Sequence, residues 1–324
     1  MQTIIGEDIG LAKQYLANAE LVAIPTETVY GLAANALNVD AVVKIFEVKN
    51  RPRFNPLIIH CANWKQIEKY VKDIPAKARV LAAKFSPGPI TFLLDKKENI
   101  PDIVTAGSSR VAIRIPNHPL TLALLNALDF PLAAPSANPF GYISPTTARH
   151  VYENLSGKIP YILDGGAANV GVESTIIGFD EMERVVLHRP GGISSEAIEA
   201  VLQEKIIQKK NALHEKPDTA GQLQSHYAPH TPLYTGDVNK LIKKYEGKKM
   251  AIISFTNQYT DIPLDCQFIL SKNGQLGEAA KNLFAALRSI DQLKFNVVLA
   301  EIFPDEGIGK AINDRLSRAN AENK

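Results

Sequence analysis

Three cations stand within five residues in Lys49-Asn50-Arg51-Pro52-Arg53, and well downstream Pro135-Ser136-Ala137-Asn138 sets a hydroxyl and an amide between two prolines, Pro135 and Pro139. Clustered like charges repel one another, and they settle most comfortably on an anion that offers several oxygens. A nucleotide phosphate fits that description. A second reading of the basic run is a helix C-terminus, because residues 38–48 are helical in pattern and cations favour that end. The prolines around Ser136 and Asn138 fix the backbone and leave those side chains free to meet a ligand.

Other segments carry chemistry of the same kind. Pro25-Thr26-Glu27-Thr28-Val29-Tyr30-Gly31-Leu32 follows an apolar strand and is expected to turn through Gly31, which puts hydroxyls at the strand's C-terminal end, where open α/β sheets bind ligands. Phe85-Ser86-Pro87-Gly88-Pro89-Ile90-Thr91 reads as a rigid turn into a strand, and Asp164-Gly165-Gly166 with Gly171-Val172-Glu173-Ser174-Thr175 as a loop between strands. Ser144 before Pro145 has the form of a helix N-cap with proline at the first helical position, a second candidate for an anion. Arg114 alternates with apolar neighbours on its strand, so its charge either meets solvent or faces a site.

The elements that must position these residues are those of an α/β protein. Apolar runs at 21–24, 57–61, 90–94, 111–115, 132–134, 161–163, 175–177 and 185–187 predict strands. Residues 8–19, 40–47, 64–71, 76–84, 120–128, 145–154 and 195–203 predict helices. The periodicity fails between about residues 209 and 232. That linker holds Ser225-His226-Tyr227-Ala228-Pro229-His230-Thr231-Pro232, an aromatic and two imidazoles where a plain tether prefers Gly, Ser and Glu. Beyond it, runs at 232–234, 250–254, 268–270 and 297–302 alternate with helical patterns at 238–245, 276–293 and 309–318. The expected organisation is a catalytic domain over 1–208, a linker over 209–232 contributing to the site, and a smaller Rossmann-like domain over 233–324.

Length supports two domains, since 324 residues exceed the range in which single cores keep growing. A net charge of +2 is too small for a protein whose main work is gripping nucleic acid backbone. Two cysteines, Cys61 and Cys266, form neither a CxxC pair nor a disulfide framework, which suits a reducing cytoplasm. No apolar stretch reaches membrane-spanning length, and the N-terminus lacks a signal core. GxxxxGK[ST], GxSxG and HExxH are all absent, which excludes the P-loop, serine-hydrolase elbow and zincin readings. His226 and His230 stand four apart, but Pro229 disfavours a helix there and no third metal ligand follows.

Together and in this order, the KxR segment, the Ser136/Asn138 segment and the loops listed above closely resemble the threonylcarbamoyl-AMP synthase family. The likeness covers a YrdC-like domain at about residues 10–205. The His226-Tyr227-Ala228-Pro229 linker and Gly307-Ile308-Gly309-Lys310-Ala311-Ile312-Asn313-Asp314-Arg315-Leu316 resemble the longer, two-domain type. The resemblance implies an open, twisted, mixed sheet with helices, followed by a Rossmann-like unit. It implies an enzyme, a nucleotidyltransferase that joins L-threonine, bicarbonate and ATP into threonylcarbamoyl-adenylate with release of pyrophosphate. Partner proteins would then carry the threonylcarbamoyl group to tRNA, so contact with tRNA is allowed but not required.

By the same resemblance, Thr28, His60, Arg114, Ala134 and Ser174 surround threonine, with Arg114 on its carboxylate. Arg51, Asn55, Arg110, Ser136, Ser144, Arg189 and Tyr227 surround ATP, completed by Lys49 and Asn138. Lys49 and Arg51 are the expected catalytic pair, and Mg²⁺ is held mainly by the ATP phosphates with no protein metal site. Arg110 stands where relatives often carry a small hydroxyl residue, so a contact there through its backbone is an alternative. Two other readings are weighed beside this one. A carbamoyl-transfer domain of the hydrogenase-maturation type shares the KxR and SxN arrangement, but it comes with acylphosphatase and zinc-finger modules that do not fit here. A non-catalytic RNA-binding module would use the same cations on phosphodiester backbone.

Overall fold

The computed structural model describes residues 1–209, 219–221, 223 and 226–323. Of the expected linker, residues 210–218, 222, 224 and 225 lie outside the described residues. Among the described residues, eleven strands build the first sheet: β1 (Ile4–Gly6), β2 (Val22–Ile24), β3 (Gly31–Asn35), β4 (Ile58–His60), β5 (Ile90–Asp95), β6 (Arg110–Arg114), β7 (Leu132–Ala133), β8 (Tyr161–Leu163), β9 (Thr175–Phe179), β10 (Val185–Arg189) and β11 (Ile207–Gln208). Their order is β1-β8-β2-β3-β7-β4-β6-β5-β9-β10-β11, with parallel and antiparallel pairs mixed. This is the α/β arrangement that the sequence pattern predicts, with the mixed, open sheet that the family resemblance implies.

Register brings distant motifs together. His60 pairs with Arg114 across β4 and β6, and with Leu132 across β7. Gly31 pairs with Ile24 on one side and bridges to Ser136 on the other. The helix Val39–Lys49 shows how a local rule aims a side chain. Asn38 caps its start by accepting from the Ala41 amide, Ala41, Val42, Ile45 and Phe46 fill the core, and Asn50 closes its end in the left-handed region at φ 52°. That closure bends the chain so that Arg51 points inward, and Arg51 is buried.

Three expectations are corrected. Gly31 begins β3 instead of making a turn, and a Cβ there would stand 3.2 Å from the Cβ of Ala134. Strands β1, β3 and β11 are absent from the sequence reading: β1 and β11 are largely exposed, and β3 is built from small residues of weak strand preference. Ser144 does not cap a helix. The helix runs Ala148–Leu155, and Thr147 caps it by accepting from the His150 amide. Thr147 with its own downstream amide outcompetes the Ser-Pro signal because the chain between them is held in the site loop.

The second unit holds β12 (Leu233–Thr235), β13 (Met250–Ser254), β14 (Gln267–Ile269) and β15 (Val297–Ala300), all parallel in the order β12-β15-β13-β14. Helices Val238–Lys244, Leu276–Gln292 and Gly309–Ala319 pack on it. It shares a core with the first domain, where Val29, Ile143, Val172 and Tyr227 meet Leu283, Phe284 and Ile312. Arg288 crosses the seam to donate to the Ile143 carbonyl and to Asn154 Oδ1. Gly171, at φ 79°, lies so close to this domain that an added Cβ would sit 2.3 Å from Lys281 Cα. No helix of the described residues is long and apolar enough to cross a membrane.

Candidate active site

One cavity opens where the central strands end and the linker returns. It is lined by Thr28, Arg51, His60, Arg114, Ala134, Ser136, Ser174, Arg189 and Tyr227, each a site residue expected from the sequence, and it divides into two halves.

In the first half, Arg114 is held on three sides. Its Nε donates to the Gly88 carbonyl at 3.1 Å, NH1 donates to Thr28 Oγ1 at 2.9 Å, and NH2 lies 2.6 Å from Glu27 Oε1. Arg114 and Glu27 are both buried, so the charge aimed into the cleft already has an internal partner in addition to any substrate carboxylate. A guanidinium fixed this way presents its plane in one orientation, which favours forked recognition of a carboxylate. His60 stands beside it. Burial, reinforced by the Arg114 charge, lowers the His60 pKa to about 3, so the ring is neutral at working pH. Ala134 supplies only a methyl, and Gly31 packs directly against it.

The second half gathers cations. Arg51 donates from Nε to the Asn55 carbonyl at 3.1 Å and from NH2 to the Pro56 carbonyl at 2.8 Å. Arg189 donates to the Ser174 carbonyl at 3.2 and 2.9 Å and to the Ala220 carbonyl at 3.1 Å, so linker residue 220 sits on the cavity wall. Tyr227 is buried and stacks on Phe284 of the second domain. Burial lowers the Arg51 pKa to about 9, with the Arg189 charge acting in the same direction. His226 is pushed far below the ordinary imidazole range by burial and then by Arg51, Lys49, Arg189 and Arg315. Positive charge is thus confined here beyond what the protein's own anions balance, which is the condition of a site shaped for a polyanion.

Several expected residues support the cavity from behind instead of lining it. The Lys49 ammonium is buried under the Ser136–Asn138 loop and donates to the carbonyls of Ser136 and Asn138. Its pKa is lowered by burial and by Arg51. Asn138 donates to the carbonyls of Pro139 and Tyr142, both at 2.8 Å, and so shapes the same loop. Asn55 is fully buried with its side-chain amide unpartnered. Ser144 is also fully buried, its hydroxyl donating to Glu173 Oε1 at 2.6 Å. Arg110 begins the strand that Arg114 ends, about 13 Å away along an extended chain, and is not among the lining residues. Its amide donates to Ser108 Oγ, so the expected ATP contact at Arg110 is not brought to the cavity.

The sequence reading missed two buried carboxylates, Glu27 and Glu173, and one arginine, Arg315. Glu27 and Glu173 sit inside segments singled out for their hydroxyls, and each proves to be an ion-pair partner. Burial pushes the Glu173 carboxyl up, but Arg315, Arg189 and the Ser144 hydroxyl outweigh it and hold it below the ordinary range. Arg315 lies far along the chain, and no spacing rule connects it to Glu173. A charged side chain on the buried face of an amphipathic helix was the one available signal.

Comparison with known proteins gives the family and the fold. Residues 14–191 match the family model described as telomere recombination, and residues 193–321 match the model described as threonylcarbamoyl-AMP synthase, C-terminal domain. The chain is 42% identical over 326 residues to a threonylcarbamoyl-AMP synthase of Pyrococcus abyssi, covering 96% of this chain and 93% of that protein. A Bacillus subtilis protein of the same name is 42% identical over 320 residues, covering 96% and 92%. The crystal structure of P. abyssi Sua5 complexed with L-threonine superposes with a TM-score of 0.91 at 40% identity, covering 100% of this chain and 98% of that one. Full-length HypF is 20% identical with a TM-score of 0.51 over 58% of this chain and 29% of its own, a likeness of fold alone.

Proposed function

The chain belongs to the threonylcarbamoyl-AMP synthase family, and from that membership we propose how its cavity works as a nucleotidyltransferase. The reaction joins L-threonine, bicarbonate and ATP into L-threonylcarbamoyl-adenylate and releases pyrophosphate. The observation that carries the reading is the convergence of Arg51, Ser136 and Arg189 with Thr28, His60 and Arg114 in one cavity.

The unprotonated amine of threonine adds to carbon dioxide with loss of a proton, or condenses with bicarbonate with loss of water, to give a carbamate. A carbamate oxygen then attacks the α-phosphorus, the bond from that phosphorus to the bridging oxygen breaks, and pyrophosphate leaves with the electron pair. No protein nucleophile takes part. Arg114 with Thr28 grips the threonine carboxylate, neutral His60 and Ser174 orient the amine end, and Ala134 leaves room for the side chain. Arg51 and Arg189 offset charge growing on the phosphate oxygens, with Ser136 beside them and Lys49 holding the Ser136 loop at the right height. Magnesium would be held mainly by the triphosphate oxygens and would offset phosphate charge there, the nearby carboxylates Glu173 and Glu27 being engaged by Arg315 and Arg114. Tyr227, with Ala220, Gly221 and His226 of the linker, lines the cavity and would exclude water from a readily hydrolysed mixed anhydride. Partner proteins in the cytoplasm take the product on to tRNA.

Pyrophosphate release measured with each substrate omitted in turn tests the proposal. Release that needs both threonine and bicarbonate is the expected result. Salt-sensitive RNA binding with no ATP turnover would replace it with the RNA-binding reading.

A further inference from the structure

Arg315 links the second domain to a charged residue of the cavity wall. Arg315, on the helix Gly309–Ala319, has 0% exposure, and its Nε donates to Glu173 Oε2 at 2.8 Å. NH1 is held by Asp314 at 2.6 Å, and the guanidinium lies 5.1 Å from the centre of the Tyr227 ring. The other oxygen of Glu173 accepts from Ser144. Glu173 lines the cavity beside Arg51 and Arg189, which places a buried carboxylate where the triphosphate of the proposed reaction would lie. Both of its oxygens are occupied, and its backbone lies close against Gly191, where an added Cβ would fall 2.3 Å from the Glu173 carbonyl oxygen.

We propose that Arg315 is a positioning residue of the active site, cancelling the Glu173 charge so that Arg51 and Arg189 are left free for phosphate and the ATP half becomes functional only when the second domain is docked. The inference deepens the reading above and rests on it. Without Arg315, Glu173 opposes the same two arginines that must meet ATP, and a buried charge that has lost its partner is strongly unfavourable. The threonine half would be spared, since Arg114 has its own partner in Glu27. The same helix also steadies the linker: Arg318 donates to the Leu223 carbonyl and accepts from the His226 amide through its own carbonyl.

The test uses the full chain as R315M, E173Q and the double variant, with calorimetric titration of L-threonine and of a non-hydrolysable ATP analogue, after wild type has shown pyrophosphate release dependent on threonine and bicarbonate. Failure of that first step removes the reaction assignment; the variants address Arg315 alone. R315M is expected to lose about a hundredfold or more in affinity for the analogue while threonine affinity stays within about threefold. The double variant is expected to bind the analogue at least about tenfold better than R315M, because the unpaired carboxylate is gone. A double variant no better than R315M overturns the proposal, as does equal loss of both ligands in R315M. If R315M does not fold in a melting experiment, the double variant decides alone, and analogue binding still a hundredfold below wild type defeats the idea.

Discussion

Both domains are α/β units with a crevice at the ends of parallel strands, yet they treat polar groups there in opposite ways. In the first, the ring Nδ1 of His60 on the cavity wall and the amide of Asn55 behind it are buried without hydrogen-bond partners, while the guanidinium NH2 of Arg114 is engaged by its ion pair with Glu27. In the second, the crevice beside Gly236, Asn257, Tyr259 and Glu301 is internally settled. Glu301 accepts from the Phe255 amide at 2.7 Å, from Asn257 Nδ2 at 2.7 Å and from the Tyr259 hydroxyl at 2.5 Å. Shape alone therefore does not mark a site. Buried polar groups left waiting for a partner do, because the fold tolerates their cost only where a ligand relieves it.

That contrast can be broken at either end. The largest effect is expected for Arg114→Ala, which removes the carboxylate grip and leaves Glu27 as an unpaired buried charge. Threonine-dependent pyrophosphate release should fall about a thousandfold, with a stability loss of about 3 kcal/mol in urea unfolding. Threonine affinity within tenfold of wild type would show that Arg114 serves only the fold. Arg51→Ala comes next, with kcat/KM for ATP lowered about a hundredfold and threonine affinity kept. Equal losses for both substrates would erase the division into halves.

Glu301→Ala should sharpen the comparison by doing the reverse. It leaves the Tyr259 hydroxyl, the Asn257 amide and a backbone N–H unsatisfied, so about 2 kcal/mol of stability should be lost while turnover stays within twofold. A collapse of turnover in a folded protein would mean that the second crevice takes part in the reaction. The smallest effect is a slope with pH. His60 is held neutral in the fold down to about 3 against an ordinary value of 6.5, and His226 is shifted the same way. Below pH 6.5 the unfolded chain therefore binds protons that the native state refuses, and stability is lost as pH falls. Each of these two buried histidines should contribute about 1.4 kcal/mol per pH unit in that acid range. His60→Gln should flatten the melting-temperature slope between pH 6 and 4.5, and an unchanged slope would remove His60 as its source.

Much of this arrangement was legible in the residues. The KxR run and the Ser136 loop are read as neighbours from chemistry that suits a common anion, and Arg51 and Ser136 do line one cavity, whereas Arg189 joins them only through the family resemblance. The alternation about Arg114 leaves its charge either meeting solvent or facing a site, and the fold buries it on the cavity wall. What stayed hidden is the third dimension of the support. Nothing local says that the Lys49 ammonium turns under the Ser136 loop to meet carbonyls, since backbone oxygens leave no mark on a sequence. Ser144 misleads for a related reason: Ser-Pro is a sound cap signal, but its hydroxyl is taken by Glu173, a partner that only the fold supplies. The edge strand β1 escapes notice because it shows no buried face to read.

Gly171 shows how such hidden support would surface in genetics. It touches no reacting group, yet its backbone lies against that of Lys281 with no room for even a methyl. Any side chain there acts as a wedge between the two halves of the polypeptide, so a loss-of-function screen would score this glycine alongside the substrate-binding arginines. The lesion would be mechanical, a door propped ajar.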